Sequence, residues 1–405
     1  MNKIELLAPA GNLDKLNTAF YFGADAVYCG GKAFSLRSYA DNFSQEDFIQ
    51  GVKIARKMGK KVYVTINIFA RNHDFEHLAD YLKMLESIGV DGVILSDPGI
   101  IDFTKKHAPK LEIHISTQAN TLNKYSAKFW AEQGAKRLVL ARELSLKEIS
   151  EIRDALPDDI ELEAFCHGAM CISYSGRCLL SDYFTNRSSN RGECVQACRW
   201  NYSIREKGSN GDYYDISEDE KGTYILNSKD LNMISHIDDL HKAGVTSFKI
   251  EGRMKSQYYV ATVVNAYRRA IDEYYRIGSE YKNNPLFASE ILKTNHRSFT
   301  TAYTLADNNQ TVNYANSQSN GDRTFIANVL EYDNQSKTAI IEMRNRFMLG
   351  DKLEVLTPSD QLNKVITVDN LTNLDNIPVT DAKIVQEKLI LKTDIPLFSG
   401  DILRK

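Results

Sequence analysis

No run of this chain approaches the roughly 20 apolar residues that a membrane-spanning helix requires, so no membrane partner is expected. The opening stretch, Met1–Lys15, sets Glu5 inside its short apolar run. It lacks a signal-peptide hydrophobic region with a cleavage site, which makes the cytoplasm the expected compartment. Net charge is only −3, too little for a surface that binds nucleic acid by charge alone, although a local basic patch is still allowed. No Gly-x-Gly-x-x-Gly follows an early strand, which removes the main support for a dinucleotide-binding sheet. The metalloprotease pattern His-Glu-x-x-His and the serine-hydrolase elbow Gly-x-Ser-x-Gly are both absent. Cysteine is scarce as well: 6 in 405 residues is no disulfide framework.

What is present is an ordinary globular composition, 43% hydrophobic and 25% charged, in a chain longer than one core usually supports. One large and one small domain are expected. Short β-branched runs alternate with amphipathic segments up to about residue 280. Eight strands are predicted, at Ile4–Leu7, Ala26–Cys29, Val62–Asn67, Gly92–Ser96, Ile113–Ser116, Arg137–Ala141, Leu162–Phe165 and Ser247–Ile250. Several are near-continuous apolar runs, as in parallel strands buried on both faces. Helical patterns lie between them, at Leu13–Phe22, Phe48–Met58, Leu78–Ile88, Ser126–Gln133 and Leu146–Leu156. The helical pattern after the eighth strand is the clearest, with Val260, Val263, Val264, Tyr267, Ile271 and Tyr274 forming one stripe.

Eight strand-then-helix units fit a (β/α)₈ barrel, the TIM-like fold, better than an open doubly wound sheet. The expected division is a barrel over residues 1–282 with a cysteine-rich insertion at 166–231 after the seventh strand, then an Asn/Ser/Thr-rich linker at 283–322. Residues 323–405 carry short strands at Thr324–Leu330, Lys337–Met343, Lys352–Leu356, Val365–Val368, Lys383–Leu391 and Asp401–Leu403. They are read as a small C-terminal all-β barrel suited to binding or positioning.

Five of the six cysteines crowd into Cys166–Cys198, and four follow the spacing Cys171-x₆-Cys178-x₁₅-Cys194-x₃-Cys198. Four thiolates on one loop satisfy either a zinc ion or an iron–sulfur cluster. Structural zinc knuckles hold their paired ligands two to four residues apart, so a six-residue gap leans towards iron. Buried cysteines packing as small hydrophobes are the remaining alternative.

The segment Glu163-Ala-Phe-Cys-His-Gly-Ala-Met-Cys171, followed by Gly176-Arg-Cys-Leu-Leu-Ser181, resembles the signature of the collagenase-like peptidase U32 family. Leu7-Ala-Pro-Ala-Gly11, Ser116-Thr-Gln118 and Lys249-Ile-Glu-Gly-Arg253 extend the likeness along the whole chain. Within that family the chain is most similar to the bacterial tRNA hydroxylation proteins. The resemblance implies a tRNA-modifying enzyme that converts the wobble uridine to 5-hydroxyuridine with prephenate as co-substrate. It further implies a [4Fe-4S] cluster on Cys171, Cys178, Cys194 and Cys198, with tRNA as partner and a further family member as a protein partner. The family name carries an alternative, a collagenase-like peptidase. A cysteine peptidase needs a free thiolate beside a histidine. With four cysteines in a cluster only Cys29 and Cys166 remain, and strand neighbours such as Cys166 and His167 point to opposite faces.

Strand ends form the functional face of a barrel. Arg37, Arg142 and Arg253 lie there and suit the carboxylates of a small anionic substrate, though Glu143 and Glu251 are near enough in sequence to make salt bridges instead. Glu163, Glu251 and His167 are the candidate catalytic groups. The carboxylates have an alternative role as partners of Arg142 or Arg253, and His167 as a donor near the cluster. His114 is read as a hydrogen-bonded core histidine. For RNA, the insertion offers Arg187, Arg191, Arg199, Trp200, Tyr202 and Arg205, an arginine–aromatic mixture suited to a flipped-out base but equally a solvated loop.

Overall fold

The computed structural model describes residues 3–36, 41–171, 173–200, 218–219, 222–223, 228–305 and 321–405. All eight expected strands form: β1 (Glu5–Pro9), β2 (Ala26–Gly30), β3 (Lys61–Ile66), β4 (Gly92–Leu95), β5 (Glu112–Ile115), β6 (Arg137–Val139), β7 (Glu161–Ala169) and β8 (Ser247–Ile250). Each pairs in parallel with the next, and β8 bonds to both β7 and β1, so the sheet closes into the (β/α)₈ barrel. Closure leaves no edge strand in the ring. Helices return the chain between strands, and their starts are written in the sequence. Asn12, Ser44, Asp97, Ser145 and Ser256 each cap a helix by accepting a backbone N–H, which satisfies a donor the helix cannot. In the helix Gln257–Ile277 the predicted stripe lies buried from Val260 to Ile271 against the barrel. Among the described residues no helix is long and apolar enough to cross a membrane.

Inside the ring sits an apolar layer of Leu7, Ala26, Tyr28, Tyr63, Ile94 and Val139, with Phe165 packed on it. Below it, at the strand starts, the filling is ionic. Arg137 is 1% exposed and donates to Glu5 (2.6 Å), Glu161 (2.5 Å) and Glu163 (3.2 Å), while Tyr63 donates to Glu5 at 2.8 Å. Three carboxylates around one planar guanidinium satisfy its donors without water. His114 is buried there too, edge-on to Tyr63. Its Nε2 lies 3.6 Å from Glu112, and neither ring nitrogen has a hydrogen-bond partner, which corrects the bonded histidine expected.

The strand β7 outruns the barrel. Its upper end pairs antiparallel with a short strand, Asp230–Asn232, which pairs in turn with Phe299–Thr300. Residues 283–322, expected as a linker, contain in their described part the helix Pro285–Leu292, whose Phe287 and Ile291 belong to the barrel core. Asn284 caps it and Pro285 occupies its first turn.

Beyond it, a seven-stranded antiparallel sheet encloses its own core around Val329, Ile341, Val355 and Leu391. The expected strand Lys383–Leu391 is instead two, Asp381–Ala382 and Lys388–Lys392, because Gln386 (φ 66°) turns the chain between them. This domain is bolted to the barrel. Arg404, fully buried, donates to Glu290 (2.7 Å) and Glu354 (2.6 Å), and Lys293 bonds the same two carboxylates.

Candidate active site at the barrel mouth

The strand ends open into a cavity of about 460 Å³ floored by Tyr28, Ile94, Val139, Phe165 and Lys249. The cysteine-rich insertion forms its upper wall. It leaves β7 at Ala169, makes a turn at Tyr174–Gly176, a short helix Leu180–Thr185 and two further turns at Ser189–Arg191 and Ala197–Arg199. Four ties fasten it to the barrel loops. Ser175 donates to Glu143 through its N–H (2.6 Å) and hydroxyl (3.0 Å), and Arg177 donates to the Gln118 carbonyl (2.8 Å). The Phe69 N–H donates to the Asn190 carbonyl (3.0 Å), and Arg191 forms a two-pronged pair with Asp74 (2.8 and 2.9 Å).

Cys171, Cys178, Cys194 and Cys198 all line this one cavity. Asn190 holds Cys178 by both backbone groups, accepting its N–H (3.2 Å) and donating to its carbonyl (2.9 Å). Backbone N–H groups point at the sulfurs: Leu180 at Cys178 and Gln196 at Cys194, each at 3.4 Å. Hydrogen bonds to sulfur are one of the controls on an iron–sulfur centre. Burial pushes the Cys198 thiol up to about 11 and raises Cys171 despite the nearby Arg142. A bound cation would offset that burial, since coordination takes the proton off a thiol. Among the described residues, no three His, Cys, Asp or Glu side chains are gathered tightly enough to share one metal ion. Cys171, Cys178, Cys194 and Cys198 are the residues that would hold a cluster at this wall.

The rest of the wall is strongly basic: Arg142, Arg199, Lys249, Arg253, Lys255 and Arg297 face it, against the carboxylates of Asp230 and Glu251. Arg142 donates to the Ala169 carbonyl (3.1 Å) and lies over the Phe165 ring, while its sequence neighbour Glu143 is engaged by Ser175. Arg253, buried, donates to the hydroxyls of Ser35 (2.8 Å) and Thr65 (3.2 Å). Gly30 makes room for it: a β-carbon there would stand 2.0 Å from the guanidinium. Glu251 accepts from the Tyr28 hydroxyl at 3.2 Å. Arg37 lies outside the described residues, as do Tyr202 and Arg205.

Two of the expected catalytic groups stand back from the cavity. Glu163 is fully buried below the floor, 2.6 Å from Lys249 and 3.2 Å from Arg137, rather than beside Arg142 or Arg253. Burial alone would raise it, but those two cations hold its carboxyl below the usual range. His167 is packed among Tyr259, Tyr267 and Phe299, and burial lowers its imidazole to about 4. Sequence reasoning overlooked Lys255, Asp230 and Arg297. The last two form a buried pair with Nε–Oδ1 at 3.0 Å. Asp230 and Arg297 reach the wall only through the strand pairing beyond β7, a long-range contact with no local signature. Of the RNA candidates, Arg199 faces the cavity, Arg191 is held by Asp74, and Arg187 and Trp200 are exposed.

Residues 11–314 match the family model "Peptidase family U32", and residues 322–404 match "Peptidase family U32 C-terminal domain". The chain belongs to peptidase family U32. It is 40% identical to the tRNA hydroxylation protein P1 of Bacillus subtilis, across 100% of this chain and 95% of that protein. Likeness to the 23S rRNA 5-hydroxycytidine C2501 synthase of Escherichia coli is 38% over 67% of this chain and 40% of that one. A protein of Porphyromonas gingivalis named collagenase is 34% identical over 68% of this chain and 67% of its own. In this U32 chain the cysteines that line the cavity are Cys171, Cys178, Cys194 and Cys198. The two cysteines outside the wall are both buried, Cys29 with its thiol raised to about 12 and Cys166 donating to the Lys249 carbonyl at 3.4 Å.

Proposed function

We propose that this chain hydroxylates the wobble uridine of tRNA to 5-hydroxyuridine, with prephenate as co-substrate and a [4Fe-4S] cluster held by Cys171, Cys178, Cys194 and Cys198. The observation that carries this reading is the convergence of four cysteines on one cation-lined cavity at the barrel mouth. The whole-length similarity to a tRNA hydroxylation protein supports the choice of RNA. A bound cluster would supply a redox or Lewis-acid centre in the cavity wall.

The chain's own residues do the rest. Arg142 and Arg253 meet the carboxylates of the small acid through their guanidinium forks, and Ser35, Thr65 and Phe165 hold those forks in place. Glu251, hydrogen-bonded to Tyr28, is placed to take or return a proton at the mouth. Glu163 accepts from Lys249 and fixes it at the floor from beneath, and so acts through it as a positioning residue. His167 supports the upper end of β7 from behind. The C-terminal domain, fastened through Arg404, would help to hold the RNA.

The test is nucleoside mass spectrometry on tRNA from a deletion strain, complemented with wild-type or Cys194→Ser protein. Loss of 5-hydroxyuridine-derived nucleosides, restored only by the wild type, is the expected outcome. Undiminished levels in a strain without any paralogue would count against the reading. Gelatin cleavage by metal-free protein, abolished on replacing Cys166, would favour the peptidase instead.

A further inference from the structure

The insertion does more than carry cysteines. Its outer surface displays Tyr183, Phe184 and Trp200 at 82%, 44% and 41% exposure, in a chain that buries most of its large side chains. The three rings touch in series, with centroids 5.0 Å apart for Tyr183–Phe184 and 6.0 Å for Phe184–Trp200. We infer that they form a stacking platform for unpaired nucleobases of the RNA substrate, a proposal that rests on the tRNA reading above and adds where its loop docks.

Three features favour RNA as the occupant. Unpaired bases present flat apolar faces that aromatic rings stack on without regard to sequence, and exposed aromatic rings are the usual provision for them. The platform is also continuous with the cavity. The helix Leu180–Thr185 that presents Tyr183 and Phe184 outward contributes Leu180 and Ser181 to the cavity wall. The rings and the pocket wall therefore share one short helix. Finally, that pocket is lined by basic residues in a chain whose net charge is −3, so the positive potential is local to the place where phosphates would arrive.

The cysteines run alongside the rings. Tyr183 and Phe184 fall between Cys178 and Cys194, and Trp200 follows Cys198, so the Phe184–Trp200 contact joins two segments that also carry cysteines of the cavity wall.

The experiment uses anaerobically purified full-length protein and a fluorescently labelled anticodon stem-loop, followed by anisotropy. A duplex of the same length serves as competitor. Tyr183→Ala, Phe184→Ala and Trp200→Ala should each weaken stem-loop binding about tenfold, in line with stacking energies for single bases. Trp200→Phe and Tyr183→Phe should restore most of the affinity, and the duplex should compete poorly. Tyr125→Ala and Phe129→Ala remove other exposed rings, on the outer helix Lys124–Glu132, and should leave binding unchanged. Circular dichroism and cluster absorbance verify that each variant folds. Wild-type affinity in all three alanine variants overturns the platform alone, as does a change confined to self-association by light scattering. A wild-type protein that binds no tRNA overturns both the platform and the reading beneath it.

Discussion

The two ends of the barrel use the same residue types to opposite effect. At the strand starts, Arg137 is enclosed by Glu5, Glu161 and Glu163, so that every buried charge has a partner at short range. At the strand ends, six basic side chains face a cavity with two carboxylates, and four cysteines share its wall. A saturated ionic layer closes a barrel; a cation-rich wall suits the anion proposed for it. Lys249 joins the two, bonded to Glu163 below and lying over Tyr28 at the floor. In a barrel this is the usual division between a stabilising bottom and a functional top.

That division can be broken from either side. Arg137→Met should cause the largest loss of stability, about 3–5 kcal/mol, because it strands carboxylates in the closed end. Denaturant unfolding checks it, and cluster absorbance in the folded fraction should survive. Arg253→Lys should do the reverse, lowering the proposed prephenate-dependent turnover roughly 10–100-fold while the unfolding midpoint scarcely moves. A large stability loss without a kinetic effect would place Arg253 with the structural group.

His167 sharpens the comparison at the back of the site. Its folded value of about 4 lies below the ordinary histidine value near 6.5. The unfolded chain thus binds a proton that the native one refuses. The associated stability is present above pH 6.5 and is lost as the pH falls towards 4. His167→Asn should flatten that limb by roughly 1–3 kcal/mol, read from unfolding at pH 7.5 and pH 4.5. The smallest effect belongs to the exposed pair Arg346–Asp381 on the C-terminal sheet. Arg346→Ala should change stability by less than about 0.5 kcal/mol.

The barrel was legible because parallel strands buried on both faces write themselves as short apolar runs, and all eight did. The strand-rich tail was legible for a related reason, its alternation of buried and exposed residues, although the short strand Leu371–Asn373 left too brief a pattern to see. The helix Pro285–Leu292 was hidden by an Asn/Ser/Thr-rich neighbourhood, even though Asn284 and Pro285 spell a helix start. At the site, the residues of Lys249–Arg253 could be picked out because they leave a barrel strand together. Arg297 and Asp230 could not, since only the pairing of Asp230–Asn232 with Phe299–Thr300 brings them to the wall. Nor could sequence tell that Glu163 turns downward to Lys249 and Arg137, because strand alternation gives the face but not the depth.

Anaerobic purification, iron and sulfide analysis and Mössbauer spectroscopy on the same sample test the central claim. The account predicts about four iron and four sulfide per chain in a cubane environment, lost together in Cys194→Ser. One zinc per chain, or four thiols that titrate freely with no bound metal, would contradict it.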